Sequence, residues 1–176
     1  MRATISSLDQ IDFSHLKIDE REVCSLNYQM FPNKHNKIFI KGKHLAFHSC
    51  FLSPFKEQWR QTQSEYPLEA LGWIIDSFVN KLWNESGAVD LMSESLSLEE
   101  VFDGERVGIS PMVHCCAENI FGYNIWNASR KCHIAGLPPQ NWHIPRYMLQ
   151  DEGVIEQLQQ INADYLAGKF DDLARS

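Results

Sequence analysis

Between Glu22 and Leu82 the spacing of apolar residues changes from two to three and four, and a chain with that change must contain both sheet and helix. Cys24, Leu26, Tyr28 and Met30 alternate with Ser25, Asn27 and Gln29. Successive side chains of a strand point to opposite faces, so the alternation predicts a half-buried strand. Pro32-Asn33 opens a polar break to Asn36. Beyond it, apolar stretches at 37–41 and 43–48 flank Gly42. Glycine takes positive φ without steric cost, which predicts a tight hairpin there. Residues 22–51 thus read as a three-stranded antiparallel meander.

Leu68, Leu71, Ile74, Ile75, Phe78, Val79 and Leu82 then recur at helical spacing. This is the stripe of an amphipathic helix over about 68–86, with Gly87 as its C-cap. Ser53-Pro54 and Ser110-Pro111 are helix-start signals, because serine caps a free N–H and proline at the first position loses no needed bond. They predict helices over about 54–63 and 111–127. The acidic, serine-rich stretch 88–104 predicts a short helix near 97–102, a turn at Asp103-Gly104 and a short strand around Val107 and Ile109. Gly136, Pro138, Pro139 and Pro145 make 131–147 read as a long loop. A last helix is expected over about 151–167, stopped by Gly168. Residues 1–21 fit neither period and read as an irregular lead-in.

Strands grouped early and helices grouped late predict an α+β fold. An N-terminal meander packs against three main helices (68–86, 111–127 and 151–167) in one domain spanning 1–176. The length of 176 residues suits one domain. The net charge of −7 argues against nucleic acid as a partner. No apolar run reaches the ~18 residues of a membrane helix. Cys24, Cys50, Cys115, Cys116 and Cys132 are odd in number and two are adjacent, a poor disulfide framework. Reduced thiols and a cytoplasmic protein are the expectation.

Candidate chemistry lies in four places. His44 and His48 on a strand would stand about 13 Å apart, too far to share an ion; His48 and Cys50 share a face. In His114-Cys115-Cys116-Ala117-Glu118, a helix N-terminus would lower a thiol pKa. His114 and Glu118 would share a face there. His133 or His143 could supply a base to a Cys116 nucleophile. The competing reading is that buried cysteines are apolar filler. Cys116, Cys132, His133 and His143 are zinc-type ligands, but their spacing matches no zinc pattern, so no metal is expected. In the loop Leu137 to Tyr147, the residues Trp142, His143, Arg146 and Tyr147 are of hot-spot type, unless Trp142 and Tyr147 anchor the loop to the core. Lys34, His35, Lys37, Lys41 and Lys43 form a basic stretch that reads as a solvated sheet edge.

Phosphate-binding, dinucleotide, hydrolase-elbow and zincin signatures are absent from the sequence, so no cofactor is expected. Two functions are in view. The first is a non-enzymatic protein-binding module of inhibitor, immunity or regulatory type. Its acidic surface, including 90–105, would draw a basic partner. The second is a small-molecule enzyme or ligand-binding protein using the Cys/His set at 114–118 and 132–143. Five tryptophans and ten phenylalanines are compatible with homo-oligomerisation under either.

Overall fold

The computed structural model describes residues 4–27, 30, 33–53, 58–83 and 97–175. Two antiparallel sheets of four strands each organise them. The first holds β1 (Glu20–Asn27), β2 (Lys34–Lys41), β3 (His44–Ser53) and β4 (Gln58–Pro67), paired in chain order. The second holds β5 (Leu98–Phe102), β6 (Glu105–Met112), β7 (Gly122–Asn127) and β8 (Gln140–Pro145), also in chain order. The helices are short. A 3-10 turn (Leu68–Ala70) leads into α1 (Leu71–Asp76), which widens into a π-type turn (Ser77–Leu82). They are followed by α2 (Arg146–Gln150) and α3 (Val154–Leu166). No described helix is long and apolar enough to cross a membrane.

The expected meander under three main helices is therefore overturned: the protein is mostly β, with a second sheet where helix was expected. Each departure has a physical reason. Ser110 and Pro111 lie inside β6, not at a helix start. β5 pairs with β6 only as far as Ile109, so Pro111 bonds to β7 alone. Proline's missing N–H is tolerated where a strand has one free side. The segment 112–126 is apolar because β7 is largely buried and the turn before it tucks Cys115 inward; such a run has no period that separates strand from helix. Most of the expected helix 54–63 is strand β4. Its polar sequence hid it, because Gln63, Ser64 and Glu65 are buried through hydrogen bonding. Residues 98–102 are strand β5, and 140–145 are edge strand β8 with prolines at its margins. Gly87, Pro54 and most of the acidic stretch 88–104 lie outside the described residues.

The strand at 22, the hairpin at Gly42 (φ +56°) and the turn at Asp103-Gly104 are found in the structure. The stripe from Leu68 to Phe78 is buried along a helical path, and α3 buries Val154, Ile155, Leu158 and Ile161. One core joins Ile38, Ile40, Phe47 and Tyr66 of the first sheet to Val107, Ile109, Ile125 and Ile144 of the second and to the helices. The free edge of β4 meets the second sheet through side chains: Gln140 Oε1 accepts from Glu65 N at 2.7 Å, and Asn127 Nδ2 donates to Glu65 O at 2.9 Å. Side chains thereby satisfy a backbone edge that would otherwise invite another strand.

The lead-in is not loose. It lies across the back of the first sheet, where Leu8 N donates to Glu65 Oε2 and Ile11 N to Gln63 Oε1, each at 2.9 Å. Ile11, Phe39 and Ala46 form a second small core beneath it, and Phe13 stacks on Phe39. His48 is sealed there, edge-on to Phe13 with centroids 4.2 Å apart. No hydrogen bond of good geometry reaches its ring nitrogens among the described residues. Burial pulls its pKa down to about 4, with only weak compensation from Gln61; His133 and Lys37 oppose its charge further.

The unfolded chain takes up this proton near 6.5 and the folded protein only near 4. Folding stability should therefore fall as pH drops through that window, by on the order of 2 kcal/mol. Urea midpoints measured against pH should show the fall. His48→Leu should remove most of it, leaving the part due to His143, which burial also lowers. An unchanged slope in the variant would remove His48 from the account.

Candidate functional site

Where the sheets meet, five ionisable side chains form a buried network. Arg130 donates from Nε to Glu105 Oε2 at 2.6 Å and from an Nη to Glu105 Oε1 at 2.5 Å. Its other Nη donates to Ser6 O at 3.1 Å and lies 3.5 Å from Glu65 Oε2. Glu65 also accepts from His133, Leu8 N, Gln63 and Gln140. Asn127 donates to Glu105 at 2.7 Å. His44 Nε2 lies 3.0 Å from Glu105 Oε1 and 2.7 Å from an Arg130 Nη. One nitrogen cannot donate to the first and accept from the second, so its proton decides which contact is a hydrogen bond. Burial opposes the charge on Glu105, but bonds from His44, Arg130 and Asn127 outweigh it and bring the carboxyl to about 2. Glu65 is lowered in the same sense, by His133 first among its donors. The network fastens the lead-in and both sheets together; its lone pairs are spent on the protein itself.

A second cluster occupies the turn between β6 and β7. It is not a helix, so no helix dipole acts on the thiols. His114, Cys116 and Asn119 have φ of 47°, 67° and 60°. Three non-glycine residues in the left-handed region within six positions make a strained turn, and such strain concentrates at functional sites. Cys115 is fully buried against Gly122, where a Cβ would fall 2.6 Å from Cys115 Sγ and 2.4 Å from Ile144 O. Cys116 is half-buried, with Sγ 4.0 Å from Cys115 Sγ and 3.4 Å from Lys34 Nζ of β2. Protonated, it can donate to His143 O at 3.7 Å. A hydrogen bond from Cys115 and the Lys34 charge overcome burial and lower the Cys116 thiol; the same bond, with burial, raises Cys115.

The remaining sequence candidates are spread apart. His114 turns outward and accepts from Asn119 N through Nδ1 at 3.1 Å, and Glu118 is exposed. His143 reaches Cys116 through its carbonyl. His133 serves Glu65. Trp142 is a core residue, stacked on Phe47 with centroids 3.5 Å apart. Arg146 is exposed and bonds Gln150 at 2.8 Å. Tyr147 is half-buried, and its hydroxyl has no hydrogen-bond partner among the described residues. Among the described residues, no three His, Cys, Asp or Glu side chains are placed to share a metal. The lysines of β2 do not form one surface: Lys34 meets Cys116, Lys37 pairs with Glu22, and Lys41 is buried on Glu20.

A cleft of about 310 Å³ opens at the far end of the first sheet. Gly42 and Lys43 of the β2–β3 turn, Leu68 and Glu69, Asp103, Tyr165 and the segment Phe170–Asp171 line it. Glu69, Asp103 and Asp171 are exposed and make no ion pair among the described residues, against one lysine, Lys43. Tyr165 is half-buried and Phe170 is buried but for the edge that lines the cleft, so the cleft has an aromatic wall. The sequence does not bring this set together and does not single out Glu65, Glu105 or Arg130; Lys34 reads there only as part of a solvated sheet edge. Gln63 and Glu65 carried a faint signal in their alternation along β4; the cleft joins four distant segments and carried none. A comparison with family models finds no match to this sequence, and a search of curated proteins finds no significant similarity to it.

Proposed function

We propose that this protein is a binding module that receives a basic side chain of a partner protein in the cleft beside Tyr165. The observation that carries this reading is the set of three carboxylates without an ion pair among the described residues, Glu69, Asp103 and Asp171, around one concave, aromatic-walled space. A guanidinium or ammonium entering there meets opposite charge at the rim, and its apolar stem meets Tyr165 and Phe170. The net charge of −7 adds long-range attraction for a basic partner. The buried network of Glu65, Glu105 and Arg130 supports the same reading indirectly, because its groups bond one another and the lead-in rather than a cavity.

The test uses a hexa-arginine peptide as probe, with affinity measured by calorimetry at several salt concentrations. The triple variant Glu69→Gln, Asp103→Asn, Asp171→Asn should bind it at least roughly tenfold more weakly, with a flatter salt dependence. All three residues are exposed, so stability should change by no more than about 0.5 kcal/mol. A control triple, Glu100→Gln, Glu118→Gln, Asp151→Asn, removes the same charge from other exposed positions. Equal weakening in the control would reduce the effect to general charge and end this reading.

A further inference from the structure

We propose that Cys116 is a modification site, a thiolate that hydroperoxides oxidise to the sulfenate and that soft electrophiles alkylate. Four groups from four elements surround it. Lys34 of β2 places its ammonium 3.4 Å from the sulfur. Cys115, its neighbour in the turn, presents an S–H at 4.0 Å. His143 of β8 contributes a carbonyl at 3.7 Å. Tyr147 of α2 feels the charge of both thiols, and its buried hydroxyl has no hydrogen-bond partner among the described residues.

The ammonium and the S–H both favour the anion, and the thiolate is the reactive form. The His143 ring is held neutral by burial and by Lys34, so it adds no competing charge at pH 7. Cys116 is half-buried rather than sealed. The other thiols with altered acidity are shifted the opposite way: burial raises Cys24 to about 11 and also raises Cys50. Cys115 is sealed from solvent. The strained turn holds the two sulfurs in this arrangement without a glycine.

In the oxidation step the Cys116 thiolate attacks one oxygen of hydrogen peroxide. An S–O bond forms and the O–O bond breaks. Hydroxide leaves and takes up the proton of the new S–OH group to become water, which leaves the sulfenate. The sulfur loses two electrons and the peroxide gains them. The sulfenate that remains is anionic, so Lys34 can hold it as it held the thiolate.

The experiment is peptide-resolved mass spectrometry of the intact protein after brief iodoacetamide treatment from pH 5 to 9. Parallel samples receive hydrogen peroxide and then dimedone. Cys116 should label first, with a rate that inflects well below the ordinary thiol value of about 8.5, and it should carry the dimedone adduct. Lys34→Met should slow its labelling at pH 7 by roughly tenfold and move the inflection upward. Lys34→Arg should largely restore both, which separates charge from packing. Circular dichroism checks that each variant is folded; should Lys34→Met unfold, Lys34→Arg and Lys34→Gln are compared instead. An inflection between 8 and 9, labelling of Cys116 no faster than Cys50, or indifference to the charge at position 34 would each overturn the proposal.

Discussion

Replacing Arg130 with methionine is expected to destabilise the fold by about 3–5 kcal/mol. The guanidinium is nearly sealed, with 6% of the side chain exposed, and it stands between Glu105 and Glu65, which are 3% and 0% exposed. Methionine fills similar space but leaves two buried carboxylates with no cation between them. They must then take up protons or draw in water, and either outcome consumes stability. The lead-in also loses its bond at Ser6 O. Urea unfolding at pH 7 measures the loss. The acid limb offers a second check. Glu105 titrates near 2 in the folded protein and near 4.5 in the unfolded chain. Its share of stability is therefore present above 4.5 and lost as pH falls through about 2. In the variant that limb should move to higher pH. A loss below 1 kcal/mol would mean that the network is hydrated and weak, and that the sheets are joined by apolar packing alone.

Trp142→Ala should cost about 3–5 kcal/mol, the range for removing a buried aromatic side chain. The ring is 6% exposed and lies flat on Phe47, so one indole joins β8 to the first sheet. Had Trp142 been a surface anchor for a partner, its removal would leave stability unchanged and abolish binding. The core position reverses this. Thermal unfolding should shift strongly, and peptide binding at the distant cleft should persist in the folded fraction. Trp142→Phe should recover part of the stability, because the stacked geometry survives a smaller ring.

Local patterns in the sequence were readable where one face of an element is apolar and the other wet. The stripe from Leu68 to Phe78, the alternation at Cys24 and Leu26, and the turn at Gly42 all obey that rule. It fails where polar side chains are buried. In β4, Gln63 and Glu65 face inward because Ile11, Gln140 and His133 supply their partners from distant segments. Binary patterning reads such residues as solvent-facing. It also fails between Ser110 and Trp126. There the turn is made by His114, Cys116 and Asn119 at positive φ, with no glycine or proline to mark it. The Ser110-Pro111 signal misled for one reason. Proline reports a missing N–H, and a strand edge tolerates that as well as a helix start does.

The thiol cluster was half legible. Cys116 and His143 do come together, but through the His143 carbonyl, and the residue that sets the charge of the sulfur is Lys34, 82 positions away. The acidic cleft was not legible, since Gly42, Glu69, Asp103 and Asp171 meet only through tertiary packing.

In the proposed function the cleft, and not the negative charge as a whole, receives the partner. Backbone amide shifts of the ¹⁵N-labelled protein, followed while the hexa-arginine peptide is added, test it most directly. Residues 42–43, 68–69, 103–104 and 165–171 should move together along one binding curve, and they should stop moving in the triple cleft variant. Shifts spread over every exposed carboxylate, or gathered instead at the groove formed by Gln10, Phe13 and Gln61, would contradict it.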